Sequence, residues 1–326
     1  MKATAVAPSN IAFIKYWGKK NERLRLPSNG SISVNLNNLF TTTTVEFSRG
    51  LIKDEVVYNN ELIFEGRTYG RVTAHLDRIR KLAKIDFNAK TVTKTNFPSS
   101  AGLASSASGY AAFTVAASTA AGLELSEKEL SVLARLASGS ACRSIPNGYV
   151  EWLEGSSNES SYALSIFPPN YWKISVVVVI VGREKKLISS TQGHRIVEES
   201  PFFLSRLNTI TKKLVNLKKF IKVRNFSAFG QLVEKEALEL HALTLTSDPP
   251  IIYWEPETVR IMKLIHSWRK NQLEAYFTID AGPNLFLITE KKNLNKLLGE
   301  LKANRVSDFI VNEPSIGTRL ISEHLF

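Results

Sequence analysis

Residues 98–109, with the sequence PSSAGLASSASG, place two glycines and five serines between a predicted strand and an Ala-rich predicted helix. Gly102 permits a turn that would strain other residues, and it lets main-chain N–H groups approach an anion. The helix that follows adds unpaired N–H donors and the positive end of its dipole. Ser105 and Ser106 supply hydroxyls for phosphate oxygens or a metal ion. The segment is a candidate phosphate-binding loop without the G-x-x-x-x-G-K-[ST] spacing of a P-loop, although such a loop alone is more often a simple turn and helix cap.

Residues 7–20, APSNIAFIKYWGKK, contain a cation in an apolar setting. Lys15 follows Phe13 and Ile14 and precedes Tyr16 and Trp17. Burying an ammonium group is costly unless a partner compensates for the lost water. Lys15 is therefore a candidate functional cation, while a lysine whose head group reaches solvent explains the same pattern.

Residues 139–149, GSACRSIPNGY, form a third candidate segment. Arg143 lies close in sequence to Ser138 and Ser140, and a guanidinium beside hydroxyls suits recognition of a carboxylate or phosphate. Cys142 is adjacent, but no histidine neighbour is evident in the sequence. A structural thiol is therefore favoured over a nucleophile.

The last candidate is Asp280 in the segment TIDAGPN, residues 278–284. It ends a predicted strand and enters a Gly-Pro turn, where a carboxylate can face a cleft. Aspartates at strand ends also cap turns without any further role.

Composition restricts the class of protein that positions these residues. The chain has 326 residues, of which 44% are hydrophobic and 22% charged, as in an ordinary globular protein. The apolar run at residues 176–181 is far shorter than the roughly 20 residues of a membrane helix. The first residues lack the apolar core of a secretory signal. The single Cys142 fits a reducing cytosol, so we expect a cytoplasmic protein without a membrane partner.

The net charge of +12 can attract nucleic acid or small polyanionic substrates. The densest basic run has helical spacing, with Leu214, Leu217, Phe220 and Ile221 recurring on one face. The cations assigned to the opposite face are Lys212, Lys213, Lys218, Lys219, Lys222 and Arg224. A solvated helix face is favoured over a nucleic-acid surface, because no interleaved aromatic residues or zinc-finger spacing accompany the run.

Periodicity predicts strands and helices in both halves of the chain, which indicates an α+β protein. The predicted strands are 31–36, 41–47, 89–95, 149–152, 174–181, 274–279 and 285–289. The predicted helices are 71–84, 107–123, one opened by the capping box at Ser126 and Glu129, 201–217, 226–244 and 257–271. We expect two closely packed domains, 1–185 and 186–326.

The motifs together resemble the GHMP kinase superfamily and, within it, the diphosphomevalonate decarboxylase family. The matching segments, in family order, are PSNIAFIKYWGK, LPSNGSISV, NFPSSAGLASSASGY, GSACRSIPNGYVEW, KKLISST, SDPPIIYW and DAGPN. The resemblance implies an N-terminal domain of the ribosomal-protein-S5 domain 2-like type and a C-terminal ferredoxin-like GHMP domain. The active site would lie in the cleft between them.

The resemblance also implies a carboxy-lyase of the mevalonate pathway of isoprenoid biosynthesis. The reaction would convert ATP and mevalonate 5-diphosphate into ADP, phosphate, CO2 and isopentenyl diphosphate, with ATP and Mg2+ as cofactors. The C3 hydroxyl would be phosphorylated first, and loss of that phosphate would drive release of the C1 carboxylate. A homodimer is the family expectation.

Site residues follow from the same resemblance. Asp280 would accept the proton of the C3 hydroxyl or orient that hydroxyl, and Lys15 would stabilise phosphoryl charge beside it. Arg143 would hold the substrate carboxylate with support from Asn10. The residues implied to bind the 5-diphosphate are Tyr16, Lys19, Arg71, Ser138 and Ser140. Those implied to bind the nucleotide are Asn96, Pro98, Ser99, Ala101, Gly102, Leu103, Ala104, Ser105 and Ser106, with Ser105 and Ser106 also implied for Mg2+.

One segment departs from the family pattern. After KKLISS the family often has a Gly-Met pair, whereas this chain continues Thr191-Gln192-Gly193-His194, so a diphosphate contact from that loop is in question. Relatives of the same fold act as mevalonate 3-kinases or as phosphomevalonate decarboxylases. A basic RNA-binding protein with an S5-like fold is the alternative from another class.

Overall fold

The computed structural model describes residues 1–97, 105–184, 188 and 190–326, with the backbone alone described at 190 and 191. Its strands are β1 (Lys2–Ile14), β2 (Lys19–Asn21), β3 (Leu26–Pro27), β4 (Ser31–Ser48), β5 (Glu55–Tyr58), β6 (Glu61–Ile63), β7 (Asn88–Thr95), β8 (Tyr149–Trp152), β9 (Ala163–Phe167), β10 (Ile174–Val179), β11 (Ala275–Ile279), β12 (Leu285–Glu290), β13 (Phe309–Asn312) and β14 (Arg319–Ile321). Its α-helices are α1 (Gly66–Ala83), α2 (Ser105–Ala120), α3 (Glu127–Ala137), α4 (Ser190–Ile196), α5 (Phe203–Lys222), α6 (Phe226–Leu245), α7 (Pro256–Lys270) and α8 (Leu294–Ala303). Among these described helices, none is long and apolar enough to cross a membrane.

The larger sheet is built on the long antiparallel pair of β1 and β4. The strand order is β14-β1-β4-β7-β5-β6, and β8 pairs with β4 and β9 at the other end of β4. The two strands predicted at 31–36 and 41–47 form one continuous strand, because the residues between them keep an extended backbone. The β-branched run Thr41–Thr44 pairs with β7, as expected for residues that pack well on a pleated surface.

Helix α2 packs against β1 and β4. Its buried residues include a row of alanines, such as Ala107, Ala111 and Ala116. Such small side chains allow the helix backbone to approach the sheet closely. The Ala-rich helix predicted at 107–123 is present at Ser105–Ala120, and the structure places it inside the fold.

The smaller sheet has the antiparallel strand order β11-β12-β10-β13 and carries helices on both faces. Strand β10 is buried along its whole length, as its run of valines predicts. Val176 and Val178 pack in one core with residues of α5 and α6, while Val177 and Val179 pack in another with residues of α7 and α8. The first of these cores also contains residues of β1 and β4, so it connects the two sheets.

The predicted α+β architecture is confirmed, whereas the division into 1–185 and 186–326 stays a prediction. Residue 185 itself lies outside the described residues. Strand β10 precedes that position and pairs with β12 and β13, which follow it. A division at 185 would therefore assign β10 and its hydrogen-bonded partners to different domains.

The basic helix α5 differs from its prediction at one position. Leu217 and Ile221 are buried as the apolar face requires, but Lys213 is only 7% exposed and does not belong to a solvated face. Its ammonium group bonds Glu236 at 2.8 Å and also bonds Glu239. The prediction for Lys213 was wrong because α6 places two carboxylates opposite it, which periodicity within α5 cannot reveal.

Candidate active site

The ion pair between Lys15 and Asp280 lies where a strand of each sheet ends. Lys15 directly follows β1, and Asp280 directly follows β11. The distance from Lys15 Nζ to Asp280 Oδ1 is 2.7 Å, across 265 residues of sequence. The Lys15 side chain is 2% exposed and the Asp280 side chain 25% exposed. The structure thus brings together the two residues at the centre of the sequence interpretation and leaves the carboxylate accessible to a ligand.

Two electrostatic effects act in opposite directions on the pKa of Lys15. Burial lowers the pKa of Lys15 below its ordinary value, while the charge and hydrogen bond of Asp280 and the charge of Glu236 act in the opposite direction. Arg143 adds a further lowering effect on the Lys15 pKa. The ammonium form of Lys15 therefore depends on the carboxylates around it.

Arg143 lies in a buried polar cluster beside this pair and is 4% exposed. Its Nη1 donates to Ser31 Oγ at 2.9 Å, and its Nε donates to Asn10 Oδ1 at 3.2 Å. Asn10 is fixed in turn by donating to Ser144 Oγ at 2.8 Å. The predicted support of Arg143 by Asn10 is present as a hydrogen bond. Ser31 and Ser144 were not singled out, although both lie within the segments quoted as motifs.

Two of the predicted diphosphate residues, Tyr16 and Ser138, lie beside the short helical segment Gly139–Ser144. The Tyr16 ring packs on Trp152, with ring centroids 4.5 Å apart. It also lies against Gly139, where an added Cβ would be 2.8 Å from the ring. Ser138 Oγ donates to Ser106 Oγ at 3.4 Å. This contact connects a predicted diphosphate residue with a predicted nucleotide residue.

Ser140 and Tyr16 form part of one wall of the candidate site, which also includes Ser138 and Lys19. The Ser140 carbonyl accepts a hydrogen bond from Asn10 Nδ2 at 3.3 Å. Burial raises the pKa of the Tyr16 phenol, so its hydroxyl stays protonated near neutral pH. Tyr16 can therefore donate a hydrogen bond to an anion.

Lys19 lies at the start of β2 and is 9% exposed. Its Nζ donates to Glu22 at 3.1 Å, and its backbone N–H donates to Glu198 Oε1 at 3.2 Å. Arg195 also donates to Glu22, at 3.2 Å. Burial lowers the pKa of Lys19, and Glu22 opposes that effect. Glu22 is therefore a counter-ion that sequence reasoning missed.

Two predicted residues have local structural contacts instead of pointing to the pair. Arg71 Nη2 donates to the carbonyl of Ala137 at 3.1 Å, and the guanidinium lies over the Tyr110 ring at 4.6 Å. Asn96 Oδ1 accepts from the Phe40 N–H at 2.8 Å, and its amide donates to the Asn38 carbonyl at 2.9 Å. Arg71 reaches the residue before Ser138, whereas the Asn96 amide, just after β7, binds two backbone groups of β4. Their ligand contacts stay predictions.

The nucleotide segment is described only in part. Ser105 and Ser106 lie in α2, with Ser106 exposed. The other predicted positions, Pro98, Ser99, Ala101, Gly102, Leu103 and Ala104, lie outside the described residues. In the part of the chain that the structure describes, no group of three or more His, Cys, Asp or Glu side chains is placed to hold a metal ion.

Two histidines, one beside Tyr16 and one beside the Lys15–Asp280 pair, lie in or near the site. His194 lies between the Tyr16 and Trp17 rings, at centroid distances of 4.3 and 4.4 Å, and its Nδ1 accepts the Gly18 N–H at 3.0 Å. In the sequence, His194 was noticed because residues 191–194 depart from the Gly-Met pair of the family. The side chain of Thr191, in the same segment, lies outside the described residues. His241 is 1% exposed, and burial together with the Lys15 charge lowers its pKa to about 3.

Cys142 is fully buried. Burial raises the pKa of its thiol to about 12, and the Sγ lies 3.0 Å from the Gly139 carbonyl. A protonated, enclosed thiol is a poor nucleophile, which agrees with the structural interpretation.

Two family profiles match the chain and together cover most of it. The profile described as "Diphosphomevalonate decarboxylase-like N-terminal domain" matches residues 7–163. The profile described as "Mevalonate 5-diphosphate decarboxylase C-terminal domain" matches residues 176–313.

Individual proteins are similar over nearly the full length. The diphosphomevalonate decarboxylase of Debaryomyces hansenii is 37% identical over 318 residues, which cover 91% of this chain and 81% of that protein. The crystal structure of mevalonate diphosphate decarboxylase from Staphylococcus aureus is 36% identical, with a TM-score of 0.93 and 98% of both chains covered. A structure described as "MDDEF in complex with MVAPP, AMPPCP and Magnesium" is 38% identical, with a TM-score of 0.93 and 99% of both chains covered. The similarity therefore extends over both sheets and over the strands that position Lys15 and Asp280.

Proposed function

This chain belongs to the diphosphomevalonate decarboxylase family, and from that premise we propose how its own residues perform the ATP-dependent decarboxylation of mevalonate 5-diphosphate. The fold is the GHMP kinase fold, and the activity is that of a carboxy-lyase. The products are isopentenyl diphosphate, ADP, phosphate and CO2. The observation that carries the residue assignment is the contact between Lys15 and Asp280.

Asp280 acts on the C3 hydroxyl of the substrate. Its carboxylate is partly exposed and is anchored on one oxygen by the Lys15 ammonium at 2.7 Å. The carboxylate accepts the hydroxyl proton, or orients the hydroxyl, as the oxygen attacks the γ-phosphate. Lys15 fixes the orientation of the carboxylate and stabilises the negative charge on the transferring group. Positioning and charge stabilisation of this kind dominate phosphoryl transfer.

Arg143 holds the C1 carboxylate of the substrate. Its guanidinium is oriented by Ser31 and Asn10, which fix two of its donors. A preorganised fork favours bidentate binding of a carboxylate. The carboxylate then leaves as CO2 when the C3 phosphate departs and the electrons of the broken C1–C2 bond form the new double bond.

The 5-diphosphate lies along the wall formed by Tyr16, Lys19, Ser138 and Ser140, with Arg71 behind Ser138. Hydroxyl donors and a cation in one wall suit an anion that carries several phosphate oxygens. Lys19 has Glu22 as its partner in this structure. Substrate binding therefore exchanges a carboxylate for a diphosphate at the Lys19 ammonium, or shares the ammonium between them.

ATP and Mg2+ fit the residues of α2. The exposed Ser106 and the neighbouring Ser105 offer hydroxyl oxygens, which are the hard ligands that Mg2+ accepts beside phosphate oxygens and water. Bound Mg2+ supplies charge neutralisation for the transferred phosphoryl group. The residues 98–104, with Asn96, complete the proposed nucleotide site.

Simultaneous assay of ADP and CO2 tests the function. The purified protein is incubated with ATP and, separately, mevalonate, mevalonate 5-phosphate and mevalonate 5-diphosphate. We expect ADP and CO2 in equal amounts with the diphosphate and much less of both with the other two. ADP without CO2 would identify a mevalonate 3-kinase, and preference for the monophosphate would identify a phosphomevalonate decarboxylase.

A separate measurement of RNA affinity distinguishes the family function from RNA binding. If the protein bound RNA, its affinity for RNA should depend steeply on salt and should not change on substitution of Asp280.

The proposal includes a homodimer in the cytoplasm. Sedimentation equilibrium of the purified protein tests the number of subunits.

A further inference from the structure

The backbone of Lys15 is held by side chains from two helices and one loop instead of by a strand partner. The β1–β4 pairing ends at Ile14, so the N–H and C=O of Lys15 lie beyond the ladder. The N–H donates to Glu236 Oε1 at 3.2 Å. The carbonyl accepts from Arg206 Nη2 at 3.0 Å and from Asn29 Nδ2 at 2.9 Å. Buried backbone groups require such partners, and here they are supplied by α5, α6 and the segment before β4.

Glu236 is the centre of this arrangement. It is fully buried and accepts hydrogen bonds from Arg206, from Lys213 at 2.8 Å and from the Lys15 backbone. Burial alone would raise the pKa of Glu236, but Arg206 and Lys213 outweigh it and hold that pKa below its ordinary value. Glu236 is thus a carboxylate anion whose two cations lie on α5.

Arg206 connects the carboxylate with the other side of Lys15. One guanidinium nitrogen bonds both Glu236 and the Lys15 carbonyl, while Nη1 donates to Asn29 Oδ1 at 3.3 Å. Asn29 returns a bond to the same carbonyl. The N–H and C=O of Lys15 are therefore both fixed by one connected network.

We propose that Glu236, together with Arg206, is a positioning residue for Lys15 that keeps its ammonium directed at Asp280. The inference rests on the proposed function of that pair. A buried ion pair is weak evidence for a gain in stability, because desolvation offsets most of its attraction. Glu236 and Arg206, however, also bond the backbone of Lys15. We therefore assign this ion pair a role in positioning Lys15 and not a role in stability.

Two mechanisms connect Glu236 with Lys15. The first is geometric, because a displacement of about 1 Å at a reacting group can reduce turnover by about 100-fold. The second is electrostatic, because the Glu236 charge favours the ammonium form of Lys15. A variant at Glu236 therefore changes both the turnover of the enzyme and the titration of Lys15.

The test compares Glu236→Gln with Glu239→Gln. Glutamine keeps the shape of Glu236 and an oxygen for the Lys15 N–H but removes the charge. Glu239 shares the partner Lys213 and is partly exposed, and none of its hydrogen bonds in the described chain involves Lys15. It is therefore a matched control for loss of a carboxylate from the same network.

Two readouts are measured for each variant. The first is kcat and KM for mevalonate 5-diphosphate. The second is the titration of Lys15 in ligand-free protein, followed by NMR of lysine labelled with 13C at Cε and assigned with Lys15→Arg. We expect Glu236→Gln to lower kcat 10- to 100-fold, with KM changed less than threefold and the Lys15 midpoint moved to lower pH. We expect Glu239→Gln to stay within twofold of wild type, with an unchanged midpoint.

A second variant keeps the test decisive if Glu236→Gln does not fold. Arg206→Lys retains a cation for Glu236 but cannot reach Glu236, Asn29 and the Lys15 carbonyl together, so we expect kcat to fall about tenfold. The proposal is overturned if the Glu236 and Glu239 variants match in kcat and in Lys15 titration, or if kcat falls only in proportion to unfolded protein. Because the titration uses no substrate, it tests the positioning role even if wild type proves to have another activity.

Discussion

Replacement of Asp280 by asparagine removes the carboxylate that compensates the buried Lys15. The Lys15 side chain is 2% exposed, and breaking a buried ion pair at one partner costs about 3–5 kcal/mol. The cost has an upper limit, because Lys15 can lose its proton in the variant. Removing a proton from a lysine of ordinary pKa 10.5 costs about 1.4 kcal/mol for each pH unit below 10.5, which is about 4.8 kcal/mol at pH 7 and about 2 kcal/mol at pH 9.

The sign of the pH dependence follows from proton binding. In the Asp280→Asn variant, folded Lys15 loses its proton at lower pH than the lysine of the unfolded chain. The unfolded state then binds more protons, so the stability of the variant rises with pH relative to wild type. We expect a loss of about 3–5 kcal/mol at pH 7 that decreases to no more than about 2 kcal/mol at pH 9.

Urea unfolding followed by tryptophan fluorescence measures this loss in ligand-free protein. Wild type, Asp280→Asn, Lys15→Met and the double variant form a thermodynamic cycle at each pH. The double variant has no buried charge at this pair and should recover most of the loss at pH 7. An equal loss at both pH values, or a double variant as unstable as Asp280→Asn, would refute the reasoning.

Three other perturbations have outcomes that follow from the structure. Arg143→Ala should raise KM and slow CO2 release in steady-state assays, because the substrate carboxylate loses its anchor; an unchanged KM counts against the assignment. Gly139→Ala should cost about 1–3 kcal/mol in urea unfolding, since its Cβ would lie 2.8 Å from the Tyr16 ring. Gly109→Ala should cost nothing, because among the described residues no atom beyond its chain neighbours and the backbone of its own helix lies within 4 Å of the added carbon. Burial lowers the pKa of His75 to about 3, so the unfolded chain binds more protons below pH 6.5, and stability should fall by up to about 1.4 kcal/mol per unit as pH decreases toward 3. The stability of the His75→Gln variant should lack this part of the pH dependence. An identical dependence of stability on acid pH in both proteins would exclude a contribution from His75.

Local patterns in the sequence predicted most of the elements that position the site. The valine run of β10 predicted a strand buried on both faces, and alternate residues do pack in two different cores. The capping box at Ser126 is present with both of its reciprocal bonds. These features depend on neighbours in sequence, which is why they are predictable.

The long-range contacts of the site could be predicted only from the family resemblance, and those of Glu236 and Lys213 could not be predicted at all. Lys15 and Asp280 are 265 residues apart, so no periodicity could place them together, and it was the family motifs that assigned these two candidates to one site. Glu236 gave no sequence signal, because a glutamate within a helix is usually solvated. Lys213 was assigned to a solvated face for the same reason. The error at Lys213 and the missed role of Glu236 have one cause, because the pairing of α5 with α6 decides which charges are buried.

The most direct test of the role of the Lys15–Asp280 pair is a rapid-quench measurement of ADP and CO2 in one turnover. Wild type and Asp280→Asn are mixed with ATP, Mg2+ and mevalonate 5-diphosphate at saturating concentrations, and both products are followed in the same samples. If Asp280 acts on the C3 hydroxyl, formation of ADP and of CO2 should slow together by several orders of magnitude, with substrate affinity little changed. ADP formation at the wild-type rate in the variant, with or without CO2, would contradict the account.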